Sequence, residues 1–380
     1  MSFIKNKLRQ IFFERKISNY FSSDFSKRIL IAYITEPFLK KDNHIHTNFA
    51  ESKVIAKIFN DLGYIVDIVK YNYKGRIDYE KYDVIFGFGP VLSNSFKQPS
   101  KKNILRINYA TGTHPHVSNQ RCLKRAKDVF AKKGEYFLAS VRLIDEDYLL
   151  QTTLVDGIIV IGNDLIADSY RQFFSGSICK IPVSHYSLCD SREIIANKNF
   201  AEAKKHFLFF TSSGMIHRGL DLLLENFSQQ TDLHLHICCP LNLEPKFKQA
   251  YAKELACPNI HYYGFINIKS ETFKKLISQC AFAVLPSCSE SQNSAMINLM
   301  GNGGLIPILT KEVGNDIENI GFLINDFSNQ AVDRAVKIAA GKADDELKEL
   351  SQRAADFAKT EHSIDYFTVK FKEAISKIIK

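Results

Sequence analysis

Residues 282–310 read FAVLPSCSESQNSAMINLMGNGGLIPILT, and this stretch decides the fold class. A short apolar run, FAVLP, leads into a polar loop, and an amphipathic segment follows before the turn NGG and a second apolar run, LIPILT. Apolar runs of this length on either side of a helical segment predict two parallel strands joined by a crossover helix. Glu290, the single carboxylate of the stretch, is then placed at the carboxyl end of a buried strand, where packing alone gives it no role.

The same alternation extends over both halves of the chain. Before residue 187, strands are predicted at KRILIAYI, YIVDIVKY, DVIFGFG, NILRINYATG and DGIIVIGN, with a helix over NFAESKVIAKIFND that Asn48 caps. After residue 204, strands are predicted at HFLFFTSS, LHLHICC, NIHYYGF, AFAVLPS and LIPILT. Strands that alternate with helices favour parallel sheets covered on both faces. The predicted fold class is therefore α/β, with two Rossmann-like, doubly wound domains facing across a cleft.

The alternation lapses in one polar stretch, which we interpret as a linker between the domains. The predicted organisation is a basic amphipathic segment (1–27), a first domain (28–186), the linker (187–204), a second domain (205–355) and a C-terminal helix that crosses back to the first domain (356–380).

Charge is unevenly distributed along the chain. The 380 residues carry a net charge of +9, and residues 1–28 alone supply five positive charges in excess. This segment has the pattern of a basic helix that lies on an anionic membrane, although packing on its own domain explains the pattern equally well. Its charges interrupt every apolar run, so neither a membrane span nor a signal peptide is predicted. We expect a cytoplasmic protein, with peripheral contact at the inner face of the cell membrane as a refinement.

Two other classes of partner are not expected. The basic residues do not belong to a recognisable nucleic-acid-binding module, so no nucleic acid is predicted as a partner. The eight cysteines show no paired spacing, which is typical of reduced, buried thiols and does not indicate a structural zinc site.

A candidate anion site lies in TSSGMIHRGLDLLLENF, residues 211–227. Small residues end a strand, and Arg218 and Gly219 precede a helix whose first amide groups can bind an anion. The guanidinium of Arg218 offers a forked donor for phosphate. A tight turn with a solvated arginine is the alternative interpretation.

Glu290 marks a second corner of the same kind. An ionised carboxylate only accepts hydrogen bonds, so it suits hydroxyl donors such as those of a sugar. The helix that follows, from about Asn293 to Met300, directs its positive end to the same edge of the sheet. Alternatively, Glu290 caps its own helix. Two anion-binding corners beside a carboxylate indicate a nucleotide diphosphate with a sugar attached.

The first half offers weaker candidates. YATGTHPHVSNQ (109–120) follows a strand and carries His114 and His116, which can donate to or accept from hydroxyls when neutral. The loop HIHTN (44–48) contains Asn48 in a similar position. Asp145–Asp147 is interpreted as an exposed turn, so no metal ligands are predicted.

The second half resembles the nucleotide-binding domain of retaining glycosyltransferases of family four, which have the GT-B fold. HFLFFTSSGMIHRGLDLLLENF is similar to the family's strand, glycine turn, basic residue and Leu-rich helix, and AFAVLPSCSESQNSAMINLMGNGGLIPILTKEVG to its segment with two glutamates and a glycine-rich turn. YATGTHPHVSN resembles a first-domain segment of some bacterial members. The similarity is good over about residues 205–326 and mainly topological elsewhere.

The resemblance implies roles for particular residues. Glu290 would bind the donor sugar's hydroxyls, Arg218 the diphosphate, and His114 the sugar or the acceptor. The family generally needs no bound metal and no cofactor besides the donor. Further substrate-binding candidates are Ser213, Gly214, Gly219, Gly264, Phe265, Ser291, Asn298, His116 and Asn48.

Three positions depart from the family pattern. Asn298 replaces the second glutamate, which in the family holds the ribose, Ser213 replaces an arginine, and Ser291 replaces a glycine. A neutral hydrogen bond in place of a charged one should weaken ribose binding by on the order of 1 kcal/mol. The loss of one of two cations that would bind the diphosphate should weaken donor binding more than the change at Asn298 does.

The sequence therefore predicts a glycosyltransferase that moves a sugar from a nucleotide diphosphate sugar to a hydroxyl acceptor with retention at the anomeric carbon. The expected acceptor is a glycan or a lipid-linked glycan precursor, as in polysaccharide, lipopolysaccharide or capsule biosynthesis. Two alternatives stay open: a nucleotide-sugar epimerase of GT-B-like shape, and a non-catalytic member that keeps the binding site.

Overall fold

The computed structural model describes residues 15–41 and 46–379. Residues 1–14 of the basic segment predicted at 1–27, and His44 and Ile45 of the loop HIHTN, lie outside these residues. The contacts of the chain divide it into two compact units. The first comprises the residues up to His114, Asp145–Pro182 and the residues from Ile364; the second comprises Pro115–Ile144 and Val183–Ser363.

The first unit is built on a six-stranded sheet with the order β2-β1-β3-β4-β5-β6, all parallel. Its apolar runs form strands because both faces are covered, so nearly every residue of β1 to β5 is buried or half-buried. The strands are β1 (Lys27–Tyr33), β2 (Tyr64–Lys70), β3 (Val84–Gly87), β4 (Leu105–Ala110), β5 (Gly157–Ile161) and β6 (Ser177–Ile181).

The second unit contains another six-stranded parallel sheet, with the order β12-β11-β10-β7-β8-β9. The central strands β7 and β10 are neighbours although the strands β8 and β9 lie between them in the chain, so the strand order reverses between them. The strands are β7 (His206–Phe210), β8 (His234–Cys238), β9 (Ile260–Tyr262), β10 (Phe282–Leu285), β11 (Ile306–Thr310) and β12 (Phe322–Ile324). The expected α/β class with two doubly wound sheets is confirmed.

Helices connect the strands of both units. The α-helices of the first unit are Glu36–Leu39, Asn48–Asp61, Gly89–Asn94, Leu149–Thr153, Asp164–Arg171 and Ile364–Ile378. Those of the second unit are Pro115–Lys133, Ser191–Asn197, Phe200–Ala203, Leu220–Phe227, Pro245–Ala250, Ala252–Leu255, Glu271–Gln279, Ser294–Gly303, Asn329–Ala340 and Asp344–Glu361. No helix in the described part of the chain is long and apolar enough to span a bilayer.

The helix Pro115–Lys133 is the main feature that the sequence pattern did not indicate. It follows β4 of the first sheet in the chain, yet its apolar residues belong to the hydrophobic core of the second unit. Arg125 of this helix is buried and forms an ion pair with the fully buried Asp221. The pairing makes burial of both charges tolerable, and it depends on a contact between residues far apart in sequence.

Local differences concern helix ends and the predicted linker. The helix over Asn48–Asp61 begins at Asn48, and its cap position is Thr47, whose side chain makes no capping hydrogen bond. The segment 187–204 contains two short helices, and Ser191 and Ile195 of the first are buried. The last helix packs in the first unit, where Phe371 contacts Phe59 with ring centroids 6.0 Å apart.

Candidate functional site

The candidate site lies at the carboxyl ends of β7 and β10 in the second unit. Parallel α/β sheets bind ligands outside the carboxyl ends of their strands at the point where the strand order reverses. The loop after β7 carries Arg218, and the loop after β10 carries Glu290. Two residues that are 72 positions apart in sequence (290 − 218) are thereby brought to one place.

Arg218 and Glu290 form an ion pair, with Nη1 of Arg218 3.0 Å from Oε1 of Glu290. Their side chains are only 7% and 11% exposed, so the pair is nearly dry. Arg218 is also held by the hydroxyl of Thr211 and by the carbonyl of Ser213, which accepts from Nε at 3.0 Å. These contacts fix the guanidinium plane at the edge of the sheet.

Electrostatic interactions within the pair favour an ionised Glu290 and a protonated Arg218. Burial opposes ionisation of Glu290, but the attraction of Arg218 and a hydrogen bond from His217 outweigh it and hold the pKa of the carboxyl well below its usual range. Burial lowers the pKa of Arg218, and the charge of Glu290 opposes that shift. Glu290 is therefore an acceptor at neutral pH, which is the state that sugar hydroxyls require.

Further contacts of Glu290 come from its own loop and from the turn before Arg218. The hydroxyl of Ser287 donates to Oε1 at 3.3 Å, and Nε2 of His217 lies 3.5 Å from the same oxygen. Nδ1 of His217 lies 3.2 Å from Sγ of Cys122. Burial alone would lower the pKa of His217, but Cys122 and Glu290 raise it.

Among the described residues, the structure brings together three side chains of types that bind metals: Cys122, His217 and Cys288. Their ligand atoms lie within 4.8 Å of one another and are buried. Thiolate and imidazole are ligands of zinc and other soft metals, but three ligands do not complete a tetrahedral structural site. No sequence pattern indicates this group, because its members come from three separate segments instead of a CxxC motif.

The turn after β7 depends on glycine at two positions. Gly214 has φ +97° and Gly219 has φ +73°, both in the region that residues with a side chain rarely adopt. A Cβ at Gly219 would collide with the backbone oxygen of Pro286, so this residue allows the turn to approach the loop that carries Glu290. The amides of Gly214 and Met215 donate to the two carboxylate oxygens of Glu244, Met215 at 3.1 Å.

The candidates around the helix Ser294–Gly303 differ in their environment. The side chain of Asn298 is 95% buried: its oxygen accepts from the amide of Tyr186 at 2.9 Å and its amide donates to the carbonyl of Ser294 at 2.8 Å. Ser291 is half-buried and donates to the carbonyl of Gln292 at 3.2 Å. Asn293 caps the helix by accepting from the amide of Met296, so Glu290 is not the capping residue.

The loop after β9 leaves Phe265 55% exposed beside Gly264, whose φ is +77°. An exposed aromatic ring at the carboxyl edge of the sheet could stack on a nucleotide base. Gly264 and Phe265 were predicted as substrate-binding candidates from the sequence, but the conformation of their loop was not.

Two of the predicted site residues, His114 and Asn48, belong to the first unit. His114 is buried, and its ring stacks on Phe173 with centroids 4.1 Å apart. The backbone amide of His114 donates to the hydroxyl of Ser169 at 3.0 Å. Asn48, also in this unit, begins its helix and its amide donates to Nδ1 of His46 at 3.1 Å.

His116 belongs to the second unit, where it is exposed at the start of the helix Pro115–Lys133 and lies 3.1 Å from Gln120. The structure therefore brings Glu290, Arg218 and the glycine turn together. The roles of these residues, like those of His114, His116 and Asn48, stay predictions.

Arg142 is a charged residue near the turn that sequence reasoning missed. It lies in the second unit after the short 3₁₀ turn Leu138–Ser140, and its side chain packs against Gly214. The sequence of this region, RLIDEDYLL (142–150), indicates only an exposed turn or the start of a helix, and nothing in its composition indicates that contact.

Comparison with known proteins finds similar folds among solved structures, all at low sequence identity. No protein-family model matches the sequence, and no curated protein matches it. Among solved structures, the chain is similar to a sucrose-phosphate synthase from Thermosynechococcus elongatus, with 12% identity, a TM-score of 0.63, and 93% of this chain and 99% of the other covered.

Two further structures are similar at comparable identity. HepE from Anabaena in complex with UDP and glucose has 11% identity and a TM-score of 0.58 over 93% of this chain and all of the other. The pneumococcal O-GlcNAc transferase GtfA in complex with UDP and GlcNAc has 16% identity and a TM-score of 0.50 over 82% of this chain and 64% of the other. The predicted GT-B fold is confirmed by this likeness.

Proposed function

We propose that this chain is a glycosyltransferase that takes a sugar from a uridine diphosphate sugar and transfers it to a hydroxyl acceptor. The observation that carries the proposal is the pairing of Arg218 with Glu290 at the reversal point of the second sheet, 3.0 Å apart. Two similar structures, HepE with UDP and glucose and GtfA with UDP and GlcNAc, support the choice of donor.

The proposed chemistry assigns one task to each residue. As the bond between the anomeric carbon and the diphosphate opens, negative charge develops on the leaving oxygen, and Arg218 is placed to stabilise it. Glu290 accepts hydrogen bonds from the sugar hydroxyls. The acceptor oxygen forms the new bond, and its proton passes to the leaving phosphate. Retention at the anomeric carbon, independence of metal and hexosyl specificity belong to this proposal.

Ligand binding can leave the pair in place. Among the described residues, Arg218 uses Nε and Nη1 on Ser213, Thr211 and Glu290, which leaves Nη2 for a diphosphate. The guanidinium has five N–H donors, which allows a diphosphate to bind without loss of the carboxylate.

The acceptor in this proposal is a glycan or a lipid-linked glycan precursor, and the basic N-terminal segment motivates contact with an anionic membrane. The experiment is to incubate the protein with UDP-glucose, UDP-N-acetylglucosamine, GDP-mannose and ADP-glucose, with and without hydroxyl acceptors, and to measure release of the nucleoside diphosphate. Glu290→Gln and Arg218→Met should lower that release at least about tenfold, since each removes a charged contact. Glu349→Gln, at an exposed position of the same unit, is the matched control.

A non-catalytic member is the second candidate, and one observation favours it. Asn298 has no carboxylate, and both polar atoms of its side chain are already engaged with backbone groups instead of a ribose. Binding of a nucleotide sugar by calorimetry without turnover by water or any acceptor would select this candidate. Formation of an epimerised nucleotide sugar without acceptor would select the epimerase instead.

A further inference from the structure

We propose that Arg142 is the second cation that binds the donor's diphosphate, in place of the arginine that the resemblance leads one to expect at Ser213; this inference rests on the proposed function. Arg142, Gly214, Arg218 and Glu290 all belong to the second unit. The guanidinium comes from a loop distant in sequence. It supplies the positive charge for the phosphates that the loop after β7 lacks at Ser213.

The contact with Gly214 places the side chain of Arg142 across the turn after β7. A Cβ built on Gly214 would lie 2.5 Å from Cδ and 2.7 Å from Cγ of Arg142. The arginine side chain therefore occupies the space above the glycine, and it can do so only because the glycine has no side chain. The hydrogen bond from the amide of His217 to the carbonyl of Ser140, 2.9 Å, ties the loop that carries Arg142 to the same turn.

The charges at the turn make a further cation necessary for an anionic ligand. Arg218 is balanced by Glu290, and Glu244 adds a second carboxylate on the amides of Gly214 and Met215. These three charged groups alone carry an excess of negative charge, which would repel a diphosphate. Arg142 cancels that excess, and its charge acts on both members of the pair. Burial raises the pKa of Glu290, and Arg142 adds to Arg218 and His217 in lowering it. Burial lowers the pKa of Arg218 against the charge of Glu290, and Arg142 lowers it further.

The guanidinium of Arg142 is available for a ligand. Arg142 is exposed, and within residues 15–41 and 46–379 it makes no hydrogen bond and no ion pair. Its φ is +50°, a conformation that residues other than glycine, asparagine and aspartate adopt at a cost. Backbone strain of this kind is concentrated at ligand-binding sites, where the surrounding structure enforces it.

The test compares UDP binding by calorimetry for the full chain and three variants. Arg142→Asn removes the charge while asparagine tolerates the positive φ, and Arg142→Lys keeps a positive charge. Arg353→Gln removes an exposed arginine of the same unit and is the matched control. Thermal unfolding of each variant without ligand establishes that it is folded.

We expect Arg142→Asn to weaken UDP binding by about tenfold or more, because a hydrogen bond to a charged group is lost. Arg142→Lys should recover part of the loss, and Arg353→Gln should bind as the parent does. Added salt should weaken UDP binding by the parent more than by Arg142→Asn, because salt screens exposed charges.

If the parent binds UDP and the folded Arg142→Asn variant binds it equally well, the inference is overturned while the proposed function stands. If Arg142→Lys fails as badly as Arg142→Asn with unchanged salt dependence, the role is structural and the inference is again overturned. If the parent binds neither UDP nor GDP nor ADP, the proposed function itself fails, and the inference with it.

Discussion

Removal of one charge from the Arg218–Glu290 pair should destabilise the protein much more than removal of both. The variants are Glu290→Gln, Arg218→Met and the double substitution. The pair is short, at 3.0 Å, and at most 11% of either side chain is exposed, so a lone charge left behind is almost without water. Breaking a buried pair by one substitution costs about 3 to 5 kcal/mol, whereas replacing both partners is often nearly neutral.

The magnitude depends on what each substitution leaves behind. In Glu290→Gln the amide oxygen can still accept from Arg218, so we expect the lower value, about 3 kcal/mol. In Arg218→Met the carboxylate keeps His217, whose Nε2 lies 3.5 Å away and whose pKa is raised. His217 should bind a proton and compensate in part, so the loss in Arg218→Met should be smaller near about pH 6 than near about pH 8.

Urea unfolding followed by circular dichroism measures these free energies, because the chain has no tryptophan to report by fluorescence. The coupling energy of the double-mutant cycle should be at least about 2 kcal/mol. Single variants within about 0.5 kcal/mol of the parent would show that the pair is solvated, and the electrostatic argument for the site would be refuted.

Three other expectations concern different parts of the molecule. Burial, and then repulsion by His261, His206 and His234, lowers the pKa of His236 from 6.5 to about 3. As the pH falls, the imidazole of His236 binds a proton in the unfolded state before it does so in the folded state. The stability that the neutral His236 contributes is therefore complete above about pH 6.5 and is lost as the pH falls toward 3, by roughly 1.4 kcal/mol per pH unit. Urea midpoints of His236→Phe should fall less steeply with acid than those of the parent; equal slopes would contradict the assignment. Gly219→Ala should cost on the order of 2 kcal/mol, because φ is +73° and the new Cβ meets the oxygen of Pro286, whereas Gly112→Ala, with open space around its Cβ, should change thermal stability little. Deletion of residues 2–14 spares the bridge between Ile17 and Ile68 and should shift the protein from anionic liposomes to the supernatant in co-sedimentation; unchanged partitioning would discard the membrane proposal.

Much of the site could be predicted from sequence because its parts are local motifs. A strand, a turn of small residues and a helix occupy contiguous chain around Arg218 and around Glu290, so hydrophobic periodicity located both corners. The glycines at 214 and 219 were visible for the same reason, since a tight turn needs residues without a side chain at these positions.

Other parts of the site depend on contacts between distant segments. The approach of Arg142 to Gly214, the carboxylate of Glu244 on the turn amides, and the Cys122–His217–Cys288 group each join residues that no local pattern connects. The strands β6 and β12 were missed because they lie at the edges of their sheets and are mostly half-buried or exposed, so they lack a continuous apolar run.

The α/β class, the parallel strands and the two corners follow from local sequence patterns, because alternating apolar runs and helix-capping signals act over a few residues. The packing of Pro115–Lys133 in the second unit, where its buried Arg125 needs Asp221, and the position of β7 beside β10 depend on tertiary contacts. Strand order and buried charge pairing arise from contacts across long stretches of chain, and those contacts exist only once the whole core has assembled.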